Sequence, residues 1–220
     1  MTLSSNSILV EAAIDSITDA ERAVHEGAQR LEVCGDLSVG GVTPSRELLA
    51  GCLSLGVPCV AMARSRSGDF TYDAAEWAAI CEDAERVLEQ GAHGVVFGSL
   101  RPDGRIDKHH VGAITALAGY SETVFHRAFD DTPDANEALL TLIGCGVTRI
   151  LTSGHAPTAP EGAAEIADLV RRSGDKITIL PGGKVRGNNV RALVEQTGVT
   201  QVHARASDSG VIAAIVSALA

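Results

Sequence analysis

The sequence predicts a single (β/α)8 barrel, and three observations support this fold class. The chain has 220 residues, 45% of them hydrophobic and only 3% aromatic, so we expect an aliphatic core of helices packed on buried parallel strands. Short apolar runs alternate eight times with amphipathic, alanine-rich segments. A Gly-Ala or Gly-Val pair precedes five of these runs, which is typical of a helix end that leads into a strand. An open doubly wound sheet is the alternative, but neither a GxGxxG nor a P-loop motif is present to favour it.

Eight strands are predicted, each followed by enough chain for one helix. The starts of successive strands lie between 22 residues (8 to 30) and 36 residues (58 to 94) apart. The predicted strands are 8–13, 30–34, 58–63, 94–97, 123–126, 149–152, 177–180 and 201–204. We therefore expect one domain over residues 1–220, in which residues 1–7 form a flexible N-terminal tail.

The helix starts are predicted from capping residues. Thr43 and Pro44 fit an N-cap followed by proline at the first helical position, and Thr132 with Pro133 opens a later helix in the same way. Asp73 opens a long helix that ends near residue 90, just before a glycine.

Charge and cysteine usage exclude several classes of protein. The formal charge is −10, so no basic excess is available to neutralise the phosphates of a nucleic acid. The sequence has no apolar run of the 18–20 residues or so that cross a bilayer, and residues 1–7 lack the apolar segment of a signal peptide. The five cysteines are odd in number and lack CxxC spacing. We expect a cytoplasmic protein with free thiols, and neither a nucleic-acid nor a membrane partner.

Polar side chains gather where the predicted strands end, which is where barrels carry their chemistry. Glu11 interrupts an apolar strand, and Glu32 lies two residues before Cys34 on the same face of the next strand. A charge in a buried parallel strand is costly, so Glu11 favours function. Its alternative is an outward-facing residue paired with a helix cation. The second strand would place a carboxylate and a soft sulfur in one pocket.

His126 and Asp130 form the best acid/base candidate, because a histidine can be tuned across neutral pH and a carboxylate can orient it. A histidine satisfied by a backbone carbonyl is the alternative. The predicted catalytic residues are Glu11, Glu32, Asp69, His126 and Asp130.

Arginines and glycines at other strand exits predict an anion site. Arg64 and Arg66 could clamp a carboxylate or phosphate, although a solvated loop is the alternative. Gly182 and Gly183 follow the seventh strand, where many barrels bind phosphate, although tight turns also need glycine. The predicted anion-binding residues are Arg64, Arg66, Arg127, Ser153, Gly182, Gly183 and Arg205.

A metal site is the least specified prediction. Cys34, His126 and His203 end three different strands, and thiolate with imidazole suits copper(I). These residues share no close spacing motif that would support the site.

Several long motifs make the chain resemble the CutC family of copper homeostasis proteins. These motifs are RLEVCGDLSVGGVTPS (30–45), ARSRSGDF (63–70), GVVFGSL (94–100), TVFHRAFD (123–130), RILTSG (149–154), LPGGKV (180–185) and VHARAS (202–207). The resemblance implies a cytosolic (β/α)8 barrel that handles copper, binds copper(I) through cysteines and forms a homodimer or a higher homo-oligomer. Ser65 replaces a proline of the family pattern, and Lys184 replaces a third glycine, which adds a positive charge that suits an anion.

Two functions follow as hypotheses. One is cytosolic copper homeostasis with copper(I) as the partner. The other is an enzyme that performs acid/base chemistry on a small anionic, for example phosphorylated, metabolite at the barrel mouth.

Overall fold

The computed structural model describes residues 8–206 and 208–220, so the predicted tail at residues 1–7 lies outside the described residues. Eight strands form the inner wall of the molecule: β1 Leu9–Ile14, β2 Arg30–Val33, β3 Cys59–Met62, β4 Gly94–Phe97, β5 Glu122–Phe125, β6 Arg149–Thr152, β7 Thr178–Pro181 and β8 Gln201–Arg205. Helices surround them: α1 Ile17–His25, α2 Arg46–Leu53, α3 Ala74–Glu89, α4 Lys108–Ala118, α5 Ala135–Gly144, α6 Ala163–Ser173, α7 Val190–Thr197 and α8 Val211–Leu219. The strands and the (β/α)8 class are confirmed, with strand ends shifted by at most one residue.

The strands run parallel in the order β7-β6-β5-β4-β3-β2-β1-β8, so the last strand pairs with the first. Within residues 8–206 no ladder joins β7 to β8, and the barrel is nearly closed. The register places Glu11 of β1 opposite both Arg30 of β2 and His203 of β8. These three side chains point to one face because paired residues in adjacent strands project in the same direction.

Two helix starts differ from their predictions. Ser45 caps α2 through a 3.2 Å hydrogen bond from the Leu48 N–H, because the Thr43 hydroxyl is already bonded to Asp83 at 2.6 Å. Asp134 caps α5, because the Thr132 hydroxyl donates to the Phe129 carbonyl at 2.8 Å. The predicted Asp73 cap of α3 is confirmed. The glycines of all five Gly-Ala and Gly-Val pairs have positive φ, from 71° to 102°, as a left-handed helix end requires.

The core has two layers. The outer layer fills the space between strands and helices and contains most of the buried aliphatic side chains. The inner layer lies within the barrel and consists of Cys34, Val60, Met62, Val96, Val124, Leu151 and Leu180, with Leu37 packed against it. Charged side chains are also buried, among them Glu11, Arg30 and Glu32. The strands therefore present an apolar wall to the helices and a mixed apolar and polar interior to the barrel mouth. None of the helices in the described ranges is long and apolar enough to cross a membrane.

Candidate functional site

A cavity of about 670 Å³ opens at the carboxyl ends of the strands. Its polar lining consists of Glu32, Arg64, His126, Arg127, Asp131, Lys184, Arg186, His203 and Arg205. Its apolar lining includes Met62, Phe70 and Leu151. This is the end of the barrel at which we expected chemistry, and Arg64 and His126 line the same cavity.

We call the buried side chains Glu11, Glu32, His126 and His203 the floor of the cavity. A hydrogen-bond network centred on Glu11 holds part of this floor in place. Arg30 Nε donates to Glu11 Oε2 at 2.5 Å, and Arg30 Nη2 donates to Gln201 Oε1 at 2.7 Å. His203 Nδ1 lies 2.7 Å from Glu11 Oε1. Burial opposes ionisation of Glu11, but the Arg30 charge and the His203 contacts outweigh it and lower the pKa of Glu11 to about 2. Glu11 is therefore a buried carboxylate with both oxygens occupied, not an outward-facing residue.

Glu32 differs from Glu11 because one of its oxygens is free. Its Oε1 accepts from the Cys34 thiol at 3.3 Å, whereas its buried Oε2 has no hydrogen-bond partner among the described residues. Burial raises the pKa of Glu32, the nearby Glu11 charge adds to the rise, and His203 opposes it. Glu32 thus brings an unsatisfied carboxyl oxygen to the cavity.

His203 lies between these two carboxylates. Its Nδ1 is 3.8 Å from Glu32 Oε2 as well as 2.7 Å from Glu11. Burial lowers the pKa of His203, but the two carboxylates outweigh burial and raise it. Gly182 makes room for the ring, because a Cβ there would lie 3.1 Å from His203 Cδ2 and 2.6 Å from a Leu151 methyl group.

His126 is a buried, neutral imidazole. It caps the 3₁₀ helix Arg127–Asp131, where its Nδ1 accepts the Ala128 N–H at 3.1 Å. Its proton therefore sits on Nε2, which is buried and has no partner in the described part of the chain. Burial, helped by the Arg64 charge, lowers the pKa of His126 to about 3. Sequence reasoning expected acid/base behaviour, whereas this geometry suits a hydrogen-bond donor. Gly98 accommodates the ring, since a Cβ there would lie 2.3 Å from His126 Cε1.

The two arginines after β3 have different positions. Arg64 is buried, donates to the carbonyls of Gly41 at 3.1 Å and Gly68 at 2.7 Å, and stacks over Phe70. It lines the cavity and ties together the loops after β2 and β3.

Arg66 pairs with Glu76 at 2.5 Å and with Asp69 at 3.0 Å. Neither Arg66 nor Asp69 lines the cavity. The structure therefore separates these two predicted residues from the rest of the site.

Arg127 is held at the cavity edge by Asp130 and Ser153. Its Nε donates to Asp130 at 2.8 Å, and its Nη2 donates to Ser153 Oγ at 2.7 Å. Asp130 also accepts from Thr152 Oγ1 at 2.5 Å. Of these residues only Arg127 lines the cavity, so Asp130 and Ser153 are placed as positioning residues rather than as contacts.

Four cations form a rim around the cavity: Arg127, Lys184, Arg186 and Arg205. Gly183 belongs to the same edge, whereas Gly182 lies behind it against His203. Across residues 8–206 and 208–220, no carboxylate lies within salt-bridge distance of Lys184, Arg186 or Arg205. Three of the four rim cations therefore have no carboxylate ion-pair partner, whereas Arg127 pairs with Asp130.

Among the charged residues of the site, sequence reasoning missed Arg30, Asp131 and Arg186. Arg30 begins a buried strand, and the rule that singled out Glu11, a charge in an apolar strand, would also have found it. Arg186 follows the glycine turn two residues after Lys184, and it is not directly adjacent to a strand end.

The residues predicted to bind copper do not all come together. In the described residues, the one group of His, Cys, Asp and Glu side chains close enough to share an ion consists of Glu11, Glu32 and His203. Cys34 and His126 are outside this group. Burial and the neighbouring Glu32 raise the pKa of the Cys34 thiol well above its usual range.

Comparison with known proteins identifies relatives along nearly the whole chain. Residues 8–208 match the family model described as the CutC family. A Treponema denticola protein named as a CutC family member is 41% identical over 201 residues, covering 89% of this chain and 80% of its own. A Sinorhizobium medicae protein of the same description is 39% identical, covering 93% and 83%. A solved Streptococcus agalactiae CutC structure, which carries a provisional copper-homeostasis name, superposes with a TM-score of 0.85 at 31% identity, covering 90% and 98%.

Proposed function

We propose that this chain, which belongs to the CutC family, is an enzyme that binds a small anionic metabolite at the barrel mouth and performs acid/base chemistry on it. The observation that carries this proposal is a rim of four cations, three of them without a carboxylate partner in the described ranges, above a buried floor of carboxylates and imidazoles. A pure scaffold would have no reason to retain this arrangement, because buried ionisable groups are costly.

The rim favours an anion over a cation as the ligand. Lys184, Arg186 and Arg205 lack carboxylate partners in the described ranges, and Arg127 is oriented by Asp130. Guanidinium groups bind carboxylate or phosphate oxygens through paired hydrogen bonds. The cavity volume of about 670 Å³ fits a small metabolite rather than a polymer segment.

The floor can stabilise charge that develops on a bound anion. Neutral His126 has an Nε2–H without an acceptor among the described residues, so it can donate a hydrogen bond to an oxygen of the bound anion. Glu32 faces the same cavity with its free oxygen. Because these side chains are buried, they act more strongly on a bound charge than they would in solvent.

Removing a rim cation is expected to weaken anion binding by about tenfold, or roughly 1.4 kcal/mol. The measurement is calorimetric titration of the parent, Lys184→Gln and Arg205→Gln with inorganic phosphate and a panel of phosphorylated and carboxylated metabolites. Arg101→Gln is the matched control, because Arg101 is exposed, pairs with Asp103 at 3.5 Å and lies outside this cavity. An equal loss in all three variants would show only a general charge effect. Unchanged binding in the two rim variants would reject the anion site.

Copper(I) binding is the second candidate, supported by the copper-homeostasis name of the Streptococcus agalactiae relative and by Cys34 in contact with Glu32 below the cavity. Under this proposal, competition with a chromophoric copper(I) chelator detects one ion per chain. Cys34→Ser is then expected to bind at least tenfold more weakly, since thiolate is the preferred copper(I) ligand. Cys145→Ser, a half-buried cysteine outside the barrel interior, is the control. Equal affinity in both variants would remove Cys34 as a ligand.

A further inference from the structure

Three side chains from adjacent strands converge beneath the cavity with the spacing of a metal site. Glu11 on β1, Glu32 on β2 and His203 on β8 each offer one ligand atom, and these atoms all lie within 4.8 Å of one another. All three residues are buried, and two of them line the cavity. Two ligand atoms that each lie about 2.0–2.2 Å from the same ion are at most roughly 4.4 Å apart. A small inward movement of these side chains would therefore bring all three ligand atoms within binding distance of one ion.

Glu32 gives an independent reason to expect a ligand here. Its Oε2 is buried and lacks a hydrogen-bond partner within the described ranges, although the residue is only 4% exposed. An unsatisfied buried carboxyl oxygen is costly, because it has lost its hydrogen bonds to water without gaining one from the protein. Such an atom persists where a ligand completes its environment, and His203 Nδ1 lies 3.8 Å from it, beyond hydrogen-bond distance.

The surroundings hold these ligands in place, as second-layer groups do in metal proteins. Arg30 binds the outer oxygen of Glu11 at 2.5 Å and is itself fixed by Gln201 at 2.7 Å. This leaves Glu11 Oε1 directed at His203 Nδ1. Gly182 leaves room for the ring in this position, because a Cβ there would lie 3.1 Å from His203 Cδ2.

We propose that Glu11, Glu32 and His203 bind one divalent cation of the Mn²⁺, Fe²⁺ or Zn²⁺ type. Two carboxylates and one imidazole are hard and borderline ligands, which suit these ions and not copper(I). The charges agree with this assignment. With neutral His203, the two carboxylates and Arg30 sum to −1, so an ion of charge +2 leaves only +1 in the barrel interior.

The cation would lie under the cationic rim, where it faces the cavity from which an anion would approach. An oxygen of the anion could then complete the coordination of the cation, and the cation would stabilise negative charge that develops on that oxygen. This catalytic role rests on the proposed function, whereas binding of the cation itself does not.

The experiment titrates the metal-free full chain with Mn²⁺ alone and follows free Mn²⁺ by electron paramagnetic resonance. We expect one Mn²⁺ per chain, at least tenfold weaker binding in Glu32→Gln and in His203→Gln, and displacement by Zn²⁺. Cys145→Ser and Asp69→Asn are the controls and should bind as the parent does, because neither residue belongs to the ligand group or lines the cavity. Circular dichroism checks the fold of each variant. If Glu32→Gln does not fold, the Mn²⁺ affinity of His203→Gln tests the proposal.

Absence of Mn²⁺ and Zn²⁺ binding by the parent would overturn the cation site. Equal affinity in the parent and in a folded ligand variant would overturn it as well. The anion titration described above is carried out both with and without Mn²⁺. Cation binding without any anion binding supports the metal site and rejects the proposed function, and the reverse result rejects only the metal site.

Discussion

Replacing Arg30 with methionine is expected to destabilise the fold by about 3–5 kcal/mol, the cost of leaving a buried carboxylate without its partner. Arg30 and Glu11 are both buried, and their 2.5 Å contact is the closest compensation that Glu11 has besides His203. Chemical denaturation of the parent and of Arg30→Met measures the loss. The expected change is large because solvent cannot reach Glu11 to replace the lost hydrogen bond.

A second variant separates the charge from the packing. Combining Arg30→Met with Glu11→Gln removes the uncompensated charge, so the double variant should regain much of the lost stability. Arg101→Met is the surface control and should cost less than about 1 kcal/mol, because Arg101 and Asp103 are exposed and 3.5 Å apart. A similar loss for Arg30→Met and Arg101→Met would contradict the assigned role of the buried pair.

The second large effect is a loss of stability in acid that depends on His126. Folding lowers the pKa of His126 from an ordinary 6.5 to about 3, because the protonated ring is disfavoured by burial and by Arg64. Between these values the unfolded chain binds a proton that the folded chain does not. Stability from His126 is therefore complete above pH 6.5 and falls as the pH is lowered towards 3, by up to about 1.4 kcal/mol per pH unit.

His126→Asn isolates this contribution. Asparagine is a favoured N-cap and can still accept the Ala128 N–H, so the cap is retained while the titrating ring is removed. We expect the parent to be more stable at pH 7 and its advantage to shrink by roughly 2–3 kcal/mol by pH 4.5. His109→Asn, at an exposed position on α4, should show no such change. A parent-to-variant difference that stays constant with pH would refute the assignment.

The strands were predictable because burial of a parallel strand leaves a strong trace in the sequence. The runs at 94–97 and 149–152 match β4 and β6 residue for residue. Helix starts were less predictable, since Thr43 and Thr132 look like caps until their hydroxyls are seen bonded to Asp83 and to the Phe129 carbonyl. Local capping rules consider only neighbouring residues. They therefore do not include a hydrogen bond that the hydroxyl already makes to a residue distant in the chain or within a preceding turn.

The site was predictable in its location but not in its connections. Charged residues at strand exits indicated the correct end of the barrel, and Arg64 and His126 do share a cavity there. Side-chain direction was not available, so Arg66 and Asp69 were grouped with the site, although they pair with each other outside the cavity and Glu76 also binds Arg66. Arg30 was overlooked although it binds Glu11 directly.

The sequence by itself determined the repeating βα pattern, the family and the polar strand ends, because each depends on residue order and spacing alone. Only the tertiary structure decided that Glu11 is held by Arg30 and His203, whereas Glu32 keeps a free oxygen. It also decided that His126 is neutral and that, in the described ranges, Lys184, Arg186 and Arg205 have no carboxylate within salt-bridge distance. The physical reason is that the charge state and role of a buried group depend on desolvation and on neighbours within a few ångströms, and the barrel draws those neighbours from strands up to 192 residues apart.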